Sequence, residues 1–366
     1  MKKRVFILLI ALAITLALTA CGGGNTPSST PTAQASDPPV QNSDPEPDTT
    51  PEPDPDPTPE PKAEEQPFVG VSNGSTMVGT FTINCEWIPF VEPLKLKGWN
   101  QARLAVTDDT FFVLAPDLLL ENGEKEEVLT QYLLEDNGLV YVDNLPSANQ
   151  VFITTDDNGV LYASSVYSDL VGFKDGQQIF AYDWLNTKCP VHPSGEWGLA
   201  WHATTDKITK FTFNDGILEK EDWGFAEAQL EYFSGMSISQ NYIFLSGKSL
   251  ETGNHTVFVY DLDGNLKYAL GENNPFGDEA SLASINAVVK TQNGLMAVDG
   301  NYRNLCFYNL EGQFIGKIAV SQFLGTDYPW MTSAQVMPDS SIIIGMTQER
   351  DDESCYEFVV YRLTGF

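Results

Sequence analysis

Asn-Gly and Asp-Gly dipeptides punctuate this chain, among them Asn122-Gly123, Asn137-Gly138, Asn158-Gly159, Asp175-Gly176, Asp215-Gly216, Asp263-Gly264 and Asn293-Gly294. Such pairs supply the left-handed backbone that tight hairpin turns demand. Between them lie short runs rich in Val, Ile, Leu, Phe and Tyr. After Phe68 no stretch sustains apolar residues at helical spacing, so the pattern predicts an all-β domain built of hairpins.

A longer period lies beneath the turns. Ala287 to Val320 reads as strand, turn, strand, a loop carrying Arg303, a third strand ending in Leu310-Glu311-Gly312, then a fourth strand. The preceding copy has Tyr242-Ile-Phe-Leu-Ser246, Val257-Phe-Val-Tyr-Asp261 and Leu266-Lys-Tyr-Ala-Leu270 as its second to fourth strands. Second strands then centre on Phe111, Leu161, Leu199, Ile243, Leu295 and Ile343, at steps of 50, 38, 44, 52 and 48 residues. That spacing suits one four-stranded propeller blade per copy. The run Val298-Asp299-Gly300-Asn301-Tyr302-Arg303, followed by a third strand, resembles the NHL- and TolB-like six-bladed β-propeller families. The resemblance covers roughly residues 78–366, is clearest in the last three copies, and implies a fold rather than a chemistry.

The last copy stops after its third strand, Tyr356–Leu363, while Met77–Cys85 upstream is an unassigned β run. Donating that run to the last blade closes the ring and hides a sheet edge. Antiparallel pairing of 77–85 with 355–363 then places Cys85 beside Cys355. A disulfide between them is one expectation for an exported chain; two unrelated free thiols are the other.

The N-terminus carries a different signal. Lys2, Lys3 and Arg4 precede an apolar run from Val5 to Ala20, and Leu18-Thr19-Ala20-Cys21 is followed by three glycines. These are the parts of a secretory signal. Sixteen residues fall short of the roughly 20 that span a bilayer. The cysteine at the cut resembles a bacterial lipobox. That resemblance implies cleavage of residues 1–20 and lipidation of Cys21, which anchors the chain at the outer face of the cytoplasmic membrane. Residues 21–67 form the next segment. Its alternating Pro with Asp and Glu, through Asp44-Pro-Glu-Pro-Asp48 and Pro51 to Pro61, supports neither helix nor sheet. The expectation is a disordered linker reaching on the order of 140 Å when extended. Residues 68–366 are the propeller.

Net charge is −30, and loss of the leader would make it −33. Such a surface repels nucleic acid. No hydrolase elbow Gly-x-Ser-x-Gly is present, and the three histidines, His192, His202 and His255, read as structural. Asp261-Leu-Asp-Gly-Asn265 lacks the glutamate of a calcium loop and reads as a hairpin turn, as does Asp156-Asp-Asn-Gly159. The four cysteines of residues 68–366 have no zinc spacing. No catalytic residue, metal or cofactor is assigned.

What remains is a face. The loops from each fourth strand to the next first strand carry Trp99, Trp223, Phe276, Asp278, Glu279, Tyr328 and Trp330. Aromatic rings beside carboxylates suit a sugar or peptide groove; the competing expectation packs the rings between blades. Two functions follow. One is a non-catalytic, monomeric binding or scaffold module for a protein, peptide or cell-envelope glycan. The other is a propeller enzyme, lactonase-like or glycan-acting, using channel-mouth carboxylates such as Asp278 and Asp299.

Overall fold

A computed structural model describes residues 74–98, 102–146, 150–165, 168–183, 188–202, 207–214, 216–223, 230–271, 282–300, 302–321, 330–350 and 355–366. The leader, Cys21 and the linker lie outside them. Three strands come first: β1 (Gly74–Val78), β2 (Phe81–Ile88) and β3 (Leu94–Leu96). Then follow β4 (Arg103–Val106), β5 (Thr110–Leu119), β6 (Lys125–Glu135) and β7 (Gly138–Leu145), and next β8 (Phe152–Thr155), β9 (Leu161–Ser165), β10 (Ser168–Lys174) and β11 (Gln177–Tyr182). A three-strand group is β12 (Trp197–His202), β13 (Lys207–Asn214) and β14 (Ile217–Trp223). Two groups of four are β15 (Leu230–Ile238), β16 (Tyr242–Ser249), β17 (His255–Asp261), β18 (Leu266–Leu270), and β19 (Ile285–Lys290), β20 (Leu295–Asp299), β21 (Asn304–Tyr308), β22 (Phe314–Ala319). The last are β23 (Trp330–Val336), β24 (Ile342–Arg350) and β25 (Cys355–Thr364).

Every strand pairs antiparallel with its neighbours. Four groups are separate sheets; the first and last groups join in one ten-stranded sheet. All six residues expected at the centres of second strands fall in strands, namely β5, β9, β12, β16, β20 and β24.

Side-chain alternation gives each sheet two apolar faces, and each face packs on the next sheet. Leu114 of β5 meets Leu161 and Phe173; Tyr162 and Leu170 meet Ala200 and Phe211. Leu199 and Ile208 meet Leu245 and Phe258; Val257 and Val259 meet Leu295 and Tyr308. Val298 and Phe307 meet Ile344 and Val359, and Ile343 and Phe358 return to Phe111 and Val113. The succession comes back to its start. The fold is all-β and propeller-like.

Among the described residues the third group has no regular innermost strand. Its place is taken by residues 188–193, where Val191 makes one bridge to Gly198 and Pro190 accepts from Leu199 N at 3.0 Å. Pro190 and Pro193 have no N–H to extend that ladder.

Strand donation takes a different register from the one expected. β2 pairs with β25 from Asn84↔Thr364 to Ile88↔Val360, and β3 continues along the same strand from Leu94↔Phe358 to Leu96↔Tyr356. Pro89 and Pro93 interrupt the donated strand. Cys85 therefore faces Leu363, while Cys355 faces Arg350 on the other side of β25. Eight residues of strand separate positions 355 and 363, about 27 Å. The expected Cys85–Cys355 neighbourhood is thus corrected: the donor runs on to residue 96 instead of ending at 85. Both cysteines are buried, and no disulfide joins them.

β1 is a fifth, outermost strand on this sheet, hairpinned to β2. β3 also pairs with β5 through Leu96↔Leu118. The loop between β2 and β3 crosses to β7, where Pro89 O accepts from Leu139 N at 2.7 Å and Val91 N donates to Leu139 O at 3.0 Å.

Candidate functional site

Strand direction alternates, so loops joining second to third strands share one side with loops joining fourth to next first strands. Of the face predicted there, Trp223 and Trp330 are described; Trp99, Phe276, Asp278, Glu279 and Tyr328 lie outside the described residues.

Trp330 opens β23 and is half-buried. Arg303, in the loop between β20 and β21, stacks over its ring with the guanidinium carbon 5.3 Å from the centroid. Arg303 takes a left-handed φ of 56°, held in place by the loop around it. That loop is anchored by Asp299, which is fully buried at the end of β20. Its carboxylate accepts from Ala283 N at 2.6 Å, Ser284 N at 3.3 Å and Tyr302 N at 3.1 Å. One side chain thereby ties the loop entering β19 to the loop leaving β20.

Trp223 ends β14 and lies against the apolar cluster between β12–β14 and β15–β18. It meets Trp197 edge-on at 5.9 Å and 78°. Lys210 of β13 brings Nζ to 5.2 Å from the Trp197 ring and 5.8 Å from the Trp223 ring, and it pairs loosely with Glu221 at 3.8 Å. The placement fits ring packing between sheets better than an open groove. Trp330 and Trp223 are not brought together.

The titratable residues are engaged locally. His192 stacks on Trp197 at 4.9 Å and 17°, and its Nδ1 lies 3.0 Å from Ser194 Oγ. His255 opens β17; burial depresses its pKa, against a smaller opposing pull from Asp299. The side chain of His202 lies outside the described residues. Asp156 accepts from Asn158 N and Val160 N, both at 2.9 Å, and from Tyr162 Oη at 2.9 Å. Asp261 accepts from Asn265 N at 2.8 Å and pairs with Lys267 at 2.9 Å. Both close hairpin turns, as expected. Among the described residues no cluster of three or more His, Cys, Asp or Glu is placed to hold a metal ion.

Two open grooves occur elsewhere. One of about 430 Å³ lies over Ser75, Asn84, Cys85, Glu86, Arg362 and Thr364. The other, about 210 Å³, lies over Val91, Glu92, Tyr132 and Tyr141. Neither includes Trp223 or Trp330.

No protein-family model matches the chain, and no curated protein matches its sequence. Solved structures do resemble it. A streptogramin B lyase aligns over 80% of this chain and 100% of its own at 10% identity, with a TM-score of 0.45. The WD40 domain of Toxoplasma gondii coronin aligns over 79% and 88% at 7% identity, TM-score 0.44. Kuenenia stuttgartiensis hydrazine synthase aligns over 70% and 82% at 8% identity, TM-score 0.46.

Proposed function

We propose that this chain is an exported lipoprotein, anchored through Cys21 at the outer face of a bacterial membrane, whose propeller is a non-catalytic binding or scaffold module. The ring is read as six-bladed in the manner of NHL- and TolB-like propellers. The ten-stranded sheet then counts as two blades, β4–β7 and β23–β25 with β2, fused through β3. The closed succession of apolar clusters supports that count. The leader, the lipobox-like cut and the acidic proline linker support a domain held away from the membrane.

One observation carries the binding reading. Asp299, the described carboxylate offered for channel chemistry, accepts from three backbone amides, whereas Trp330 stands half-exposed with Arg303 over its ring. An aromatic ring with a cation suits recognition of a peptide or glycan rather than its transformation. The partner is read as a protein, peptide or cell-envelope glycan.

Two measurements test this. Mass spectrometry of the membrane fraction is expected to find an N-terminus at a diacylglyceryl-modified Cys21; an intact Met1 with a free Cys21 thiol sinks the anchor. The full chain used as bait on cell-envelope extract is expected to retain a partner that Trp330→Ala releases. Turnover of a lactone or glycan, lost on metal chelation, would favour the enzyme instead.

A further inference from the structure

We propose that the groove between β7 and the loop joining β2 to β3 binds a quaternary ammonium group, with Tyr132, Tyr141 and Glu92 around the cation.

The groove opens where a pairing stops. Phe90 bridges Leu139 in parallel, and Leu139 spends both backbone groups on the loop, its N–H on Pro89 O and its carbonyl on Val91 N. The next bond of such a ladder would run from the amide of residue 93 to Tyr141 O. Residue 93 is proline and has no N–H to make it. The chain instead enters β3, which pairs with β25 and β5. Beside β7 a space of about 210 Å³ remains, lined by Val91, Glu92, Tyr132, Leu139, Val140 and Tyr141.

The walls are aromatic and aliphatic. Tyr132 and Tyr141 stand opposite each other on β6 and β7, with ring planes 82° apart and centroids 6.3 Å apart. Tyr132 is buried and also meets Phe90 edge-on at 5.0 Å, so its ring is held by the core. Tyr141 is 51% exposed and Val91 48%, which leaves ring and methyl surface open at the mouth. Glu92 carries the one charge among the lining residues. No cation pairs with it among the described residues. A ring fixed by packing and a loop fixed by two backbone bonds need little ordering when a ligand enters.

Size and chemistry choose the ligand. The volume is below the roughly 300 to 1,000 Å³ of pockets for drug-sized ligands, so it admits a head group. Aromatic faces carry negative potential, and with a carboxylate beside them they attract a cation. A primary ammonium brings three N–H donors that each need an acceptor. Glu92 is the one strong acceptor among the lining side chains, and the Leu139 carbonyl is already engaged. A quaternary ammonium has no N–H to satisfy, and its methyl groups suit Val91, Leu139 and Val140. The groove includes neither Trp223 nor Trp330, so its occupancy is independent of the partner proposed for the outer face.

The test is calorimetric titration of the full chain at pH 7 with choline chloride at fixed ionic strength. Ethanolamine hydrochloride, with the same hydroxyethyl arm on a primary ammonium, is titrated separately. Saturable choline binding is expected, with ethanolamine at least tenfold weaker. No choline binding, or ethanolamine binding as tightly as choline, overturns the proposal. Tyr141→Ala is expected to weaken choline binding at least tenfold and Tyr141→Phe to retain it, since the ring and not the hydroxyl meets the cation. Glu92→Gln keeps the size of the side chain and removes its charge, and it is expected to weaken binding at least fivefold. Unchanged binding in Tyr141→Ala or in Glu92→Gln overturns the proposal. Glu92 is exposed, so if Tyr141→Ala does not fold, Glu92→Gln decides.

Discussion

The side-chain amide of Gln335 pairs with the backbone of Val106 as another strand would: Val106 N donates to Gln335 Oε1 at 2.8 Å, and Gln335 Nε2 donates back to Val106 O. An innermost strand has an open edge, and buried backbone groups left unpaired are costly. Here neighbours supply the partners. Ser333 accepts from Leu104 N at 2.8 Å, Thr155 donates to Val106 O at 2.7 Å, Asn286 donates to Met331 O at 2.6 Å, and Ser237 donates to Val288 O at 2.9 Å. Gln335 also donates to Thr155 Oγ1 at 2.8 Å, so it ties β23, β4 and β8 at one point.

Gln335→Ala is therefore expected to destabilise the domain by about 2 kcal/mol, because it strips the side-chain partner from the buried Val106 amide and one of the two side-chain donors from its carbonyl. Urea melts of the two proteins check this. Gln313→Ala serves as the control, since Gln313 lies at an exposed turn, where its side chain accepts from Asn309 at 2.8 Å. It is expected to change stability by less than about 0.5 kcal/mol.

Gly138 makes the second test. Its φ is +123°, and a Cβ there would stand 2.3 Å from Pro89 O, the carbonyl that fastens the closing loop to β7. Gly138→Ala is expected to cost more than about 1 kcal/mol, from backbone strain and displacement of that loop. Gly123, with φ +79° and open space around it, separates the two causes. Gly123→Ala carries strain alone and is expected to lose less in the same thermal melts.

The sequence was most legible where turn chemistry is local. Asn122-Gly, Asn137-Gly, Asn158-Gly, Asp175-Gly, Asp263-Gly and Asn293-Gly all join consecutive antiparallel strands. The closing strand was harder to place. Pro89 and Pro93 split it, Leu94–Leu96 is too short to show a period, and a register depends on partners far along the chain. The inner stitching had no signal. Ser333, Gln335 and Thr155 are ordinary polar residues in β strands, and only the open edge of β4 gives them meaning. Of the candidate face, Trp330 was expected in the loop and instead opens strand β23, while Trp223 ends β14 and is drawn between sheets by Trp197 and Lys210.

The cysteines predict a pH dependence. Burial, reinforced by the Glu86 carboxylate, pushes Cys85 to about 12, and burial with Asp299 does the same for Cys306. An unfolded thiol ionises near 9. Between those values the native state holds protons that the unfolded state releases. The thiols' contribution is thus present in full below about pH 9 and lost as pH rises toward 12. At pH 8 a thiol reagent is expected to leave Cys85 and Cys306 unmodified until urea unfolds the chain. Peptide mapping by mass spectrometry reads both sites, and under oxidising conditions it is expected to show no Cys85–Cys355 peptide.

The N-terminal edge makes the last prediction. β1 buries only Val78, whereas β2 buries Ile83, Cys85 and Ile88 and covers residues 360–364 of β25. Val78 packs on the neighbouring sheet near Gly316, worth about 2 kcal/mol by burial of one aliphatic side chain. Deleting the chain through Thr80 is therefore expected to lower stability by roughly that amount and leave a monomer. Deletion through Ile88 uncovers the backbone edge of β25 and the apolar face around Tyr361 and Leu363, so association or insolubility is expected. Size-exclusion chromatography and urea melts of the two truncations distinguish these outcomes. Equal behaviour would mean that β2 is not the strand that closes the ring.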